Sequence, residues 1–430
     1  MPNRLGVLDT ARCAAVVLAP LLAQGVIRRR NRVVRLAQRL DLDRRAAAVL
    51  RQLRTRHGDG PLRLAVPGRS IALVLSADGV ERVLTGSPEP FALATTEKVA
   101  ALRHFQPHGV LISGGRERDA RRHYNERVLD TGAELHHHIA GAVAAVVRDE
   151  VSTVDGPVLD WPAFAAMFDR IARRVVLGAA ARDDERLTAE LNRLRNAANW
   201  AYLRPRPEHL RARFQRRVDA YVARAEPGSL AAAMAANPAA AGVDPAGQVP
   251  HWLFAFDAAG ISAFRTLALL GSDPARQATA ARDQGPVYPY IRACVQDTVR
   301  LWPTTLVVLR ESTVDTQWPG GTLPAGTELI LPSSYFHRDG EHADDFAPET
   351  WLHGEAMRSW SVFPFSAGPG VCPGRNVVLL TTSTLIAALL DRFGPLRTAA
   401  PLRSPLPRTL DYTGQRIGLP PVTGTIAPEM

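Results

Sequence analysis

Apolar positions recur at helical spacing over most of this chain and alternate only in a few short stretches, a contrast that predicts its elements. Leu62 to Val66 and Ile71 to Leu75 flank Pro67-Gly68 and predict a β-hairpin. Helical patterns then dominate from about Arg118 to Leu301, and Trp252 to Ala263 is apolar almost all round, as a buried helix requires. Asn237 to Pro250, rich in Pro, Gly and Ala, reads as a loop. After Arg300 come short strands, Leu306 to Leu309 and Glu328 to Leu331, the second entered through a turn at Pro324-Ala325-Gly326. A mostly apolar run from Val377 to Leu390 predicts a second buried helix. Near the N-terminus, Cys13 to Ile27 is apolar but interrupted by Pro20, Gln24 and Gly25. It is short for a bilayer span and reads as a helix packed on the body, with surface attachment to a membrane as the alternative. No small-residue cleavage site accompanies Arg28, Arg29 and Arg30, so no signal peptide is expected. Without repeats or a long linker, the pattern predicts a mainly α fold with small β regions: a helical extension over 1–57 packed on one large domain over 58–430.

Composition adds two constraints. Only three cysteines occur in 430 residues, Cys13, Cys294 and Cys372, which argues against a disulfide framework and for a reducing, cytoplasmic setting. The net charge of +10 first suggests nucleic acid, but no basic block interleaves with aromatics, and many arginines sit in amphipathic stretches such as Leu210 to Ala225. Nucleic-acid binding is therefore not expected. The charge reads as a solvated surface or as a basic docking face for an acidic electron carrier.

The most informative stretch is Phe363 to Gly374, Phe-Pro-Phe-Ser-Ala-Gly-Pro-Gly-Val-Cys-Pro-Gly, which sets Cys372 in a glycine-rich loop before the buried helix. A metal-binding thiolate gains from backbone N–H groups and a helix N-terminus. Gly368, Gly370 and Gly374 permit close approach of backbone to sulfur and to a flat cofactor, and Phe365 is placed to pack beside the sulfur and limit water. A buried free cysteine in a tight turn is the structural alternative. The spacing Phe-x-x-Gly-x-x-x-Cys-x-Gly resembles the haem-binding loop of the cytochrome P450 family, in which that cysteine is the axial iron ligand. The resemblance covers roughly Gly58 to the C-terminus and implies a P450 fold and haem b held by the Cys372 thiolate. One departure is Gly370, where the family carries Arg or His against a haem propionate.

Other segments extend the likeness. Asp297-Thr298-Val299-Arg300, followed by Leu301-Trp302-Pro303, resembles the family's Glu-x-x-Arg helix with Asp in place of Glu. Phe346 to Trp351 resembles the segment that supplies a second arginine to that lock, but Thr350 stands in its place, which predicts a rewired network. By resemblance Arg118, Arg122 and Arg310 are candidates for the haem carboxylates; a solvated basic helix is the other reading of Arg116, Arg118, Arg121 and Arg122. Ala259-Gly260 fits the family's small pair on the distal helix. Beyond Ile261, Ser262 and Ala263 replace the acid and the threonine that relay protons to iron-bound oxygen. Asp257 is the lone carboxylate of that stretch, either a satisfied structural group paired with backbone or a neighbouring arginine, or a substitute proton donor or substrate anchor. Substrate contacts are expected by resemblance near Phe91 to Phe105, Asn199 to Pro207, Thr304 to Val308 and Tyr412 to Ile417.

The resemblance implies a monomeric haem-thiolate monooxygenase that oxidises a small organic substrate in a biosynthetic pathway, fed by a separate ferredoxin or flavodoxin. Loss of the acid–alcohol pair keeps open haem chemistry without oxygen activation: C–N bond formation, rearrangement, dehydration or peroxide-driven oxidation. A haem sensor without turnover is the reading from another class.

Overall fold

The longest helix, Val249–Leu270, starts with Pro250 in its first turn, where a missing N–H costs nothing, and nearly all its side chains are buried. This computed structural model describes residues 4–134, 138–285 and 287–420. Helix makes up 55% of it and strand 8%, the mainly α architecture with small β regions that the periodicity predicts. The central helix Val249–Leu270 packs on Trp161–Leu177, on Pro289–Leu301 and on the C-terminal helix Arg375–Phe393. The apolar run predicted from Val377 to Leu390 is thus the interior of a slightly longer helix.

The predicted hairpin forms between Leu62–Arg63 and Ile71–Leu73, antiparallel with Leu62 opposite Leu73. It continues into a five-stranded sheet through Glu328–Pro332 and Val307–Ser312, and ends at Phe91–Ala92. Smaller sheets join Val158–Asp160 to Arg416–Gly418 and Arg397–Thr398, and Thr316–Trp318 to Gly321–Leu323. Gly326, with φ +73°, makes the turn into Glu328–Pro332.

Buried side chains form two main clusters: a helical core around the central and C-terminal helices, and a second core beneath the five-stranded sheet. Leu5, Cys13, Val17, Leu50 and Leu53 join the sheet core, so the 1–57 extension shares its interior with the body. The N-terminal helix is longer than the pattern indicates. It runs from Val7 to Gln24, with a π turn over Ala14–Leu18. That turn directly precedes Pro20 and absorbs its ring clash and missing N–H, which lets the helix continue. At 18 residues and mean hydropathy 1.4 it is long and apolar enough to cross a membrane, which corrects the reading of a stretch too short to span. Of its apolar side chains only Cys13 and Val17 are buried, with the polar Thr10 and Gln24 beside them, while Val7, Leu8 and Leu22 are exposed.

Candidate active site

The cysteine loop lies across the junction of the two cores: Phe363 is buried in the sheet core and Phe365 packs against the helical one. Its fold is fixed by local hydrogen bonds. Cys372 N–H donates to Phe365 O at 2.8 Å and Ser366 N–H to Phe363 O at 2.9 Å. Gly368 has φ +60°, and a Cβ there would lie 2.3 Å from Leu84 O, so glycine lets the loop press on the helix Ala77–Thr85. Burial pushes the Cys372 thiol up, while the backbone N–H groups of Gly374 and Arg375 and the charges of Arg122 and Arg375 pull it down. Sulfur therefore sits at the N-terminus of Arg375–Phe393 among donors suited to a thiolate.

Arg118, Arg122 and Arg310 converge on this loop. Arg118 Nη2 donates to Pro369 O at 3.2 Å, Arg122 Nη1 to Val371 O at 2.6 Å, and Arg310 Nη2 to Ser366 Oγ at 3.2 Å. Arg122 is also paired with Glu126 at 2.6 Å. Burial, followed by the charge of Arg118, pushes Arg310 down to about 10, and its other donors reach only Ser87 Oγ and Leu309 O. Arg118 is lowered by burial and by Arg122, its carboxylate partner is the exposed Asp119, and its buried Nε has no hydrogen-bond partner. A cation cluster short of carboxylates beside an inward cysteine fits a planar group with a thiolate-bound metal and carboxylate arms. Gly370 completes the fit. A Cβ there would lie 2.6 Å from Arg310 Nη2, so Arg310 uses the space that a side chain at 370 would fill.

Behind the loop, Asp297 and Arg300 form a bidentate pair at 2.5 and 3.1 Å. Arg300 also donates to the carbonyls of His337, His342 and Asp345. The lock is rewired through tryptophan. Trp351 Nε1–H donates to Asp297 Oδ1 at 3.0 Å and Ala347 N–H to Oδ2 at 2.8 Å, whereas Thr350 turns back to Ala347 O. His337 joins lock to loop: burial holds it neutral, at about 3, and its Nε2 accepts from Phe363 N–H at 3.2 Å. Neither Trp351 nor His337 carries a signal in sequence spacing, since each acts through a partner far along the chain.

On the central helix the partly open positions are His251, Phe254, Ala255, Asp257 and Ala258, within an otherwise buried element. Ser262 continues the strip of His251, Phe254, Ala255 and Ala258 one turn on, and its Oγ–H donates to Ala258 O at 3.0 Å. Ala259 and Ala263 are buried. Gly260 faces away from that strip, where a Cβ would lie 2.7 Å from the Phe168 ring, so its missing side chain serves contact with Trp161–Leu177. Asp257 accepts from Arg195 Nη2 at 2.6 Å, the structural pairing considered for it.

Above this helix lies a strap unforeseen from the sequence. Asn199 Oδ1 accepts from Ile27 N–H and Arg28 N–H at 2.9 and 3.2 Å, and its Nδ2 donates to Arg28 O at 2.8 Å. Arg195 reaches Ile27 O at 3.3 Å, and Arg29 Nη2 reaches Thr304 O at 2.6 Å. Residues 25–30 thus tie together segments expected to border substrate, and Tyr412, buried against Trp161, stands nearby in the charge field of Arg29 and Asp257. Trp200 carries the Arg30 guanidinium 4.5 Å over its ring.

Comparison with known proteins agrees with this architecture. The cytochrome P450 family model matches residues 279–406, which include the Asp297–Arg300 pair and the cysteine loop. Cytochrome P450 52A6 of Candida tropicalis is 30% identical over 138 residues, 29% of this chain and 26% of that protein. Secologanin synthase 1 of Catharanthus roseus is 33% identical over 111 residues, 24% of this chain and 21% of its own length. The chain thus spans about a quarter of the length of the curated relatives it matches. The crystal structure of CYP175A1 from Thermus thermophilus superposes with a TM-score of 0.66 at 21% identity, covering 85% of this chain and 91% of that one. Fold-wide superposition shows that the chain has the cytochrome P450 fold, and residues 279–406, with the cysteine loop, match that family's model.

Proposed function

We propose that this protein is a haem-thiolate oxidoreductase of the monooxygenase type, acting on a small organic substrate with Cys372 as the axial iron ligand. Family and fold imply haem held by a cysteine thiolate. When bound, haem supplies oxygen activation and electron transfer. The observation that carries the assignment is the setting of Cys372: its sulfur is reached by the N–H groups of Gly374 and Arg375 at a helix N-terminus. Arg118 and Arg310 would hold the carboxylate arms, with Arg122 bracing the loop at Val371 O. The strip through Ala258 and Ser262 would form the distal wall. Exposed Arg116 and Arg375 flank the loop side and suit an acidic ferredoxin or flavodoxin. A monomer in the cytoplasm, working in secondary-metabolite biosynthesis, completes the proposal; neighbouring genes and sedimentation test these parts. Reduced protein with CO is expected to show the red-shifted Soret band of thiolate ligation, and Cys372→Ala to lose it. A band retained in that variant overturns the assignment.

One observation favours a second reading, haem chemistry without O–O cleavage. The Ser262 hydroxyl proton is engaged with Ala258 O, and Asp257 is paired with Arg195, so neither stands free to relay protons. Substrate or ordered water would then deliver them, or the reaction would not need them. Turnover with oxygen withheld separates the two readings.

A further inference from the structure

Beneath the strap is a cavity of about 30 Å³, lined in part by Arg29, Arg265 and Arg408 with Asp43, Trp302 and Tyr412. Its charge is unbalanced. Asp43 is the one carboxylate on its wall, held by Gln24 Nε2 at 3.4 Å and by the Thr409 hydroxyl. Behind the wall, Asp344 is shared between Arg338 at 2.6 Å and Arg408 at 3.3 Å, and Asp411 is paired with Arg35 at 2.8 Å. Around the guanidiniums of Arg29, Arg265, Arg338 and Arg408 stand Asp43 and Asp344, while Asp257, Asp411 and Asp41, which also act on them, are already paired with Arg195, Arg35 and Arg44. Arg29 and Arg265 spend their bonded donors on carbonyls: Gly25 O and Thr304 O for one, Trp302 O and Leu410 O for the other. Among the described residues, Arg265 Nε and Arg408 Nη1 are buried without a hydrogen-bond partner, on side chains that are each 8% exposed. Burial lowers Arg265 only to about 10, so it stays charged at neutral pH.

Uncompensated charge in a protein interior is costly, and guanidinium cannot escape by losing its proton. We infer that this cavity binds one monovalent anion of halide size, held by Arg29, Arg265 and Arg408. About 30 Å³ is room enough for one ordered water or one small halide ion. Water would satisfy the unpartnered N–H groups but leave the excess charge; chloride does both. The ion would join the strap through Arg29, the central helix through Arg265 and the C-terminal segment through Arg408 and Tyr412.

Two measurements on the haem-loaded protein decide this. Crystals grown in sodium bromide are expected to show one anomalous peak in the cavity; water density without that signal overturns the inference. Replacing gluconate by chloride at constant ionic strength is expected to raise Tm saturably by about 1–3 °C. Arg29→Met should abolish the rise, and an equal rise in that variant would mean a general salt effect and overturn the site. Should Arg29→Met fail to fold, the bromide peak in the unaltered protein remains decisive.

Discussion

Arg310 and Gly370 act as one unit at the residue scale. The guanidinium fills the space beside Gly370 and bonds Ser366, so restoring the family's basic residue at 370 should hurt. Gly370→Arg is expected to displace Arg310 and speed haem loss several-fold, while Arg310→Ala should weaken loading by about 1.5–3 kcal/mol, the worth of a charge-assisted bond. Haem transfer to apomyoglobin measures both. Arg122→Ala should act less on haem, since Arg122 already has Glu126 and Val371 O. Ser262→Ala is expected to change native turnover by well under the roughly 10²-fold of a lost general acid. Collapse of oxygen coupling in that variant would place the relay on Ser262. Glu328 sets a pH dependence: burial, then outweighed contributions from Arg69 and other neighbours, raises it to about 7. An acid raised in the folded state favours folding while protonated, so its share of stability falls as pH rises from its unfolded value through 7. Glu328→Gln should flatten denaturation midpoints between about pH 5 and 7.

At the element scale, the lock behind the cysteine loop turns on Trp351. Its indole donates to a fully buried carboxylate, so Trp351→Phe is expected to destabilise by about 1.5–3 kcal/mol, and Asp297→Ala by more, because Arg300 and Trp351 both lose their partner. Urea midpoints at constant m-value would show it. The loop, its helix and the Asp297–Arg300 pair were legible in sequence because each depends on residues close together in the chain. Trp351 was not, because its contact spans 54 positions and an indole is an unexpected stand-in for guanidinium. Gly260 was misplaced by motif alone. A small residue on a helix looks the same whether its bare face meets a cofactor or, as here, the Phe168 ring. Likewise Pro20 signalled an interruption in the N-terminal helix, and a π turn removed it.

Across the whole molecule, the cysteine loop lies where two cores meet, and the strap ties residues 25–30 to Arg195, Asn199 and Thr304. Freed of Asn199, residues 25–30 should open more often. Asn199→Leu removes three hydrogen bonds, which predicts at least about tenfold faster tryptic cleavage at Arg28 to Arg30 and faster CO recombination. Unchanged cleavage would show that the strap does not depend on Asn199 and is held by Arg195, Arg29 and packing. None of this was visible in the sequence, because the strap's partners lie 168 to 275 residues away.

Those separations carry a consequence for the order of events during synthesis. Residues 25–30 leave the ribosome long before Asn199, and well before Thr304, whose carbonyl holds Arg29. The first part of the roof to be made is therefore among the last to settle. Until then Val7–Gln24, with Leu8 and Leu22 open even in the finished fold, has only the neighbouring helices Asn31–Arg39 and Leu42–His57 to pack on. Slow translation past residue 300 should lengthen that exposure and raise the demand for a holdase chaperone.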